Sequence, residues 1–279
     1  MKGGNIDMNK KTVLMIGIIA FILMCFLPLK AKAATPVIKD NKNGTVTINF
    51  TIDTTLKVKI LAVAENYKQQ YDMTSGTITI PLTAGNTTYT IKVCRQLEGS
   101  KYSVIGSESI ALSLTDKNQV YLYSNAIVGF KQSDNILKRA AELTHGCKTE
   151  AEVVTAIHGY IIKNFVYNYD LAKQITAGSV TTYVPNVQSV YNAKTGICYD
   201  YSVVMASMLR SRGIEVRVIT GYPDPSMVNG YHAWLQIYDP TTKSWYTCDP
   251  TYDSCYYHKG YKYELKKKDS LYSNITYIY

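Results

Sequence analysis

The chain has 279 residues, enough for one large domain or two modest ones with a buried core. Hydrophobic residues make up 46% and charged residues 18%, with 17 Gly, 8 Pro and a surplus of 25 Tyr. That balance excludes disordered, collagen-like and disulfide-dense miniature classes. The formal charge of +9 comes from 30 basic and 21 acidic residues, and part of it falls in an N-terminal segment of a different character.

There Lys10 and Lys11 precede the apolar run Val13 to Leu27, which ends at Pro28 before Ala31-Lys32-Ala33. A basic stretch, an apolar stretch and a small-residue site predict a secretory signal peptide over 1–33, cleaved after Ala33, with an uncleaved anchor as the alternative. Met8 is a second candidate start. Met24 before Cys25 argues against a lipoprotein acceptor. The expected protein is therefore exported, secreted or held at the cell surface. Without 1–33 there remain 25 basic and 20 acidic residues. That excess suits loose association with an anionic cell surface and is too diffuse for nucleic acid as a partner. Five cysteines remain, Cys94, Cys147, Cys198, Cys248 and Cys255, so at least one is unpaired within the chain. Cys248 with Cys255 is a candidate disulfide, as is Cys94 with Cys147. Cys255-x-x-His258 with Cys248 lacks a second close pair of ligands, so neither a metal nor a cofactor is expected.

Residues 34–115 alternate apolar and polar side chains over Thr45 to Phe50, Leu56 to Val63, Thr77 to Pro81, Thr88 to Val93 and Tyr102 to Leu114, with Asn-Gly, Ser-Gly and Gly-Asn turns. The pattern predicts a β-sandwich-like domain serving as a spacer or binding module. From 116 to 279 the period changes. Ser133 is placed to cap a helix running to Leu143, and Thr149-x-x-Glu152 is a capping box for a second helix with Val153, Ile157, Tyr160 and Ile161 on its apolar face. His145 and His158 fall in these helices and read as structural or exposed. A polar stretch to Pro185 precedes a short helical segment at Val187 to Ala193.

The chemistry concentrates between Lys194 and Asp253. Gly196-Ile-Cys-Tyr-Asp-Tyr-Ser202 opens a helix with Tyr201, Val204, Met205 and Met208 on its buried side. Cys198 thus sits at a helix start, where unpaired N–H groups and the dipole favour a thiolate. Ile214 to Ile219 reads as a strand, followed by a loop from Tyr222 to Gly230. In Tyr231 to Tyr238, alternation puts Ala233, Leu235 and Ile237 on one face and His232, Trp234 and Gln236 on the other. After the Asp239-Pro240 turn, a strand ends with Asp249 on the face opposite Cys248. Cys198, His232 and Asp249 then have the types and order of a thiol triad, in which histidine accepts the thiol proton and aspartate fixes the imidazole tautomer.

Lys194-TGICYDY-Ser202, MLRSRGIEVRVITGY, YHAWLQIY and WYTCDPTYD together resemble the transglutaminase-like superfamily, a branch of the papain-like cysteine enzymes. The resemblance covers about 120–260. It implies an α+β, papain-like core in which a helix-borne cysteine packs on an antiparallel sheet. It also implies a Cys, His, Asp triad, with the nucleophile at Cys198, the histidine at His232 and the acidic residue at Asp249. The side-chain oxyanion donor has no identifiable position: Gln188 and Tyr183 lie upstream without a motif, leaving the Cys198 N–H as the one nameable donor. No D-x-D-x-D-G calcium pattern occurs. The expected activity is attack on amide bonds of protein or peptide substrates, including cell-wall peptides. Hydrolysis is placed ahead of transamidation, and an inactive binding or scaffold module is the rival.

Overall fold

The computed structural model describes residues 35–51 and 55–279, so the expected signal peptide lies outside the described residues. Among the described residues no helix is long and apolar enough to cross a membrane.

The first part is all β: β1 (Val37–Asp40), β2 (Thr45–Asn49), β3 (Val58–Ala64), β4 (Tyr67–Met73), β5 (Thr77–Pro81), β6 (Thr88–Glu98) and β7 (Lys101–Ala111). They form antiparallel sheets ordered β1-β2-β5 and β4-β3-β6-β7. Inward residues of both, such as Val46, Ile48 and Ile80 with Ile60, Ile91 and Val93, share one core, which makes the arrangement a sandwich. β4 escapes the sequence pattern because its outward residues Lys68, Gln70 and Asp72 are polar and its inward ones include Gln69. Asn66, at φ 54°, lies in the turn that reverses β3 into it.

The second part runs α1 (Asn135–Leu143), α2 (Glu150–Asn164), β8 (Val166–Tyr167), α3 (Tyr169–Thr176), α4 (Val187–Ala193), β9 (Thr195–Gly196), α5 (Cys198–Arg210), β10 (Val216–Tyr222), β11 (His232–Asp239), β12 (Ser244–Cys248), α6 (Pro250–His258) and β13 (Asn274–Ile278). The Thr149–Glu152 capping box is formed at α2, whereas α1 begins after Asp134 rather than Ser133. The antiparallel sheet is ordered β12-β11-β10-β13, and α5 packs on β10 and β11. The expected apolar face of α5 is buried, yet Ser202, Ser207 and Arg210 are buried too, because α1, α2, α4 and α6 enclose its other sides. The Arg210 guanidinium donates to the carbonyls of Val216 and Tyr123 and to the main-chain oxygen of Tyr279, tying the strand β13 region to α5.

Five elements of this part are absent from the sequence reading: β8, α3, β9, α6 and β13. α6, Pro-Thr-Tyr-Asp-Ser-Cys-Tyr-Tyr-His, lacks an apolar stripe and is set by its start, with Asp249 capping and Pro250 at the first position. The helix also corrects the disulfide expectation. Cys248 ends β12 facing the core while Cys255 rides on α6, and all five described cysteines are free.

Candidate active site

Cys198 is the first helical residue of α5 and half-buried. The chain reaches it through β9, which pairs in parallel with β8 in the register Tyr167 to Gly196, and Asn168 N–H donates to Gly196 O at 2.8 Å. The turn into α5 is tight. Asp200 folds back so that its Oδ2 accepts the Ile197 N–H at 2.8 Å. A Cβ at position 196 would lie 2.4 Å from the Asp200 Cβ, so only glycine leaves room. Burial pushes the Asp200 carboxyl pKa up, opposed by its bonds from Ile197 and Tyr183.

His232 opens β11 and Asp249 follows β12. The ladder pairs Leu235 with Cys248; one step on, Asp249 lies across from Trp234 and diagonal to His232 on the same face. This is the parity read from the sequence, with Cys248 on the opposite, core-facing side. The side chains meet: His232 Nε2 is 2.8 Å from Asp249 Oδ2, with both residues buried. Nδ1 is then the ring nitrogen left for Cys198. Burial alone would lower the His232 pKa, but the charges of Asp249 and Cys198 and hydrogen bonding to both hold it well above the ordinary histidine value. Burial likewise opposes ionisation of Asp249, and the His232 charge, with hydrogen bonds from His232, Tyr252 N–H and Tyr272, draws its pKa below the usual carboxylate range.

Asp249 has two functions at once. Its Oδ1 caps α6 by accepting the N–H groups of Thr251 and Tyr252 at 3.1 and 3.0 Å. Its Oδ2 accepts both His232 and the Tyr272 hydroxyl, the latter at 2.9 Å. Tyr272 was not identified from the sequence; it stands in a short 3-10 turn, Asp269–Tyr272, and nothing local distinguishes it among 25 tyrosines. The His232 face is not open, as simple alternation would leave it. Trp234 lies nearly parallel to His232, with ring centroids 6.4 Å apart, and meets Tyr272 edge-on, forming with Ile219 a second small core. Gly221 is paired with His232 on one side and with Ile275 of β13 on the other, where the register shifts, and a Cβ there would lie 2.2 Å from Asn274 O.

The two upstream oxyanion candidates are engaged elsewhere. Gln188 Nε2 donates to Asn192 Oδ1 at 2.7 Å, and Tyr183 OH donates to Asp200 Oδ1 at 2.7 Å. Aromatic side chains lie nearby on two sides. Tyr167, paired across β8–β9 with Gly196, meets Tyr169 edge-on, while Tyr222 and Tyr231 meet edge-on, with Tyr231 OH on Thr220 at 2.7 Å. His145 is exposed. His158 is buried and structural: its Nε2 lies 2.9 Å from Asp253 Oδ2, joining α2 to α6, and Lys267 completes the cluster.

A helix-borne thiol beside a buried histidine–aspartate pair on an antiparallel sheet defines the class of papain-like thiol proteins. Residues 138–250 match the transglutaminase-like superfamily model, a stretch that holds Cys198, His232 and Asp249. Among curated relatives, an uncharacterised protein of Mycobacterium leprae is 25% identical over 178 residues, 57% of this chain and 59% of that protein. A protein-glutamine gamma-glutamyltransferase of Pseudomonas aeruginosa is 33% identical over 73 residues, covering 23% of this chain and 11% of its own. The chain thus spans less than two thirds of the length of these relatives. Among solved structures, a candidate cysteine protease of Cytophaga hutchinsonii aligns over 74% of both chains with TM-score 0.40 and 15% identity. The periplasmic domain of TgpA from Pseudomonas aeruginosa aligns over 75% of this chain and 69% of its own, with TM-score 0.37 and 14% identity.

Proposed function

We propose that the protein is an exported thiol enzyme that cleaves amide bonds of proteins or cell-wall peptides, with Cys198 as nucleophile, His232 as acid and base, and Asp249 as the group orienting His232. The observation that carries this reading is the 2.8 Å His232–Asp249 contact in a buried site that also couples His232 to Cys198. A scaffold has no use for a buried histidine oriented by an aspartate beside a helix-borne thiol.

The Cys198 sulfur attacks the amide carbonyl carbon, and the C=O π pair moves to oxygen, where the Cys198 N–H donates to it. Collapse re-forms the carbonyl and breaks the C–N bond as His232 gives its Nδ1 proton to the departing amine. Water then adds to the thioester, its proton passing to His232, and the second collapse returns the thiolate. Asp249 stays ionised throughout and supports the imidazolium.

Hydrolysis is favoured over transamidation because Cys198 is half-exposed, which leaves the thioester open to water. Transfer to a lysine amine uses the same thioester and is the second reading; the match to a gamma-glutamyltransferase favours it over a short segment. The test incubates the mature protein with dimethylated casein and a labelled primary amine, with Cys198→Ala as control. Mass spectrometry then compares hydrolysed with amine-linked products. Cys198-dependent hydrolysis in excess is expected; predominant amine incorporation overturns the preference, and no acyl chemistry across varied peptides overturns the enzyme reading.

A further inference from the structure

We infer that Asp200, held by Tyr183, is a positioning residue that aims the Cys198 backbone N–H at the developing oxyanion. This rests on the thiol-enzyme reading above and adds a part to it.

Tyr183 gives its one hydroxyl proton to Asp200 and Gln188 is turned to Asn192, so the weight of oxyanion binding falls on the Cys198 N–H, whose direction is set by the Ile197–Cys198 peptide plane. Ile197 is fixed at both ends. Its N–H is bonded to Asp200 Oδ2 at 2.8 Å, and its carbonyl accepts Tyr201 N–H at 3.1 Å. Between those two anchors the Cys198 N–H lies at the open end of α5, where the first N–H groups have no intrahelical acceptor. Asp200 is completely buried, which makes its carboxylate costly unless both oxygens are satisfied. Ile197 N–H serves one and Tyr183 OH the other. Tyr183 comes from the stretch between α3 and α4, so a distant segment holds the carboxylate in the rotamer that grips Ile197. Gly196 supplies the space, since any Cβ there would displace Asp200. An ordinary capping side chain at the third helical position would be partly exposed and would need neither a second donor nor an obligatory glycine.

Positioning of the oxyanion donor and formation of the nucleophile are separable by reagent. Alkylation of Cys198 by iodoacetamide forms a C–S bond without generating an oxyanion. Acylation by 4-nitrophenyl acetate passes through a tetrahedral oxyanion but needs no proton for its phenolate leaving group. Asp200→Ala is expected to slow Cys198 acylation about 10- to 100-fold, at or below the loss seen when an oxyanion donor is removed outright, with alkylation no slower than wild type. Asp200→Asn, whose carboxamide can accept from Ile197 and donate to the Tyr183 oxygen, should restore acylation to within about threefold of wild type. Tyr183→Phe keeps the Ile197 bond and guards against a folding defect in the Ala variant; it should slow acylation by roughly threefold to tenfold. The inference is overturned if acylation and alkylation fall together, if Asn is as deficient as Ala, or if Ala acylates like wild type. Absence of Cys198-dependent acylation in the wild-type protein overturns the enzyme reading and this inference together, an outcome distinct from the other three.

Discussion

Replacing Asp249 by Asn separates its two functions, because the carboxamide can keep one and must lose the other. The Asn oxygen can take the Oδ1 position and still cap α6 through Thr251 and Tyr252, and Asn and Asp are near-equal caps. The amide nitrogen then faces His232 Nε2. A donor there requires Nε2 to be the acceptor, so the imidazole proton moves to Nδ1, the atom that should accept the thiol proton. Loss of the correct tautomer in comparable triads costs about 10⁴ in turnover, equivalent to roughly 5 kcal/mol of barrier at about 1.36 kcal/mol per decade. Asp249→Ala is the poorer probe. It also removes the cap, about 1 kcal/mol, and strands the buried Tyr272 hydroxyl, at a further cost of about 1–3 kcal/mol. Turnover on dimethylated casein and Cys198 alkylation should both fall in Asp249→Asn, whereas Asp200→Ala should lower acylation alone. Loss of the negative charge should also shift the alkaline limb of the pH–rate profile downward, since Asp249 helps raise the His232 pKa. An Asn variant that is folded and within tenfold of wild-type turnover would refute the orienting role.

Three further outcomes follow from the same geometry. Gly221→Ala should destabilise the protein by about 3 kcal/mol, the upper end for overpacked sites, because its Cβ meets a backbone oxygen of β13 that cannot retreat alone; urea denaturation measures it, and an unchanged midpoint counts against the described β10–β13 pairing. Lys267→Met should cost about 3–5 kcal/mol by leaving Asp253 buried with an incomplete set of partners, and a loss under 1 kcal/mol in the same assay would show that the Lys267–Asp253 pair is not formed. Finally, thermal stability followed against pH should fall on both sides of a mildly acidic plateau. The Asp249 pKa is lowered, so its contribution is present above the unfolded value of about 3.9 and is lost as pH falls through the folded value. The His232 pKa is raised, so its contribution is complete below about 6.5 and is lost as pH rises through the folded value. In Asp249→Asn both slopes should flatten, and a wild-type curve no steeper than that variant's would contradict the coupled pair.

The candidate site residues sit where one regular element gives way to another, and this is why they stood out in the sequence. Cys198 is the first residue of α5, His232 the first of β11, and Asp249 the cap between β12 and α6. Such boundaries carry their own sequence marks: a glycine before the helix, alternation beginning after a loop, an Asp-Pro pair. Period-two parity then sufficed to put Asp249 on the face of His232 and Cys248 on the other. What escaped has no local mark. Tyr272 reaches Asp249 from 23 positions downstream, and Tyr183 reaches Asp200 from 17 positions upstream. In both cases a tyrosine hydroxyl completes a carboxylate that the core has stripped of water. The boundary positions supply reactive groups with free backbone donors and a free direction, and the remote tyrosines remove that freedom. Residues such as Tyr272 and Tyr183 can therefore be located only by asking of each buried carboxylate in the folded chain which donors satisfy it.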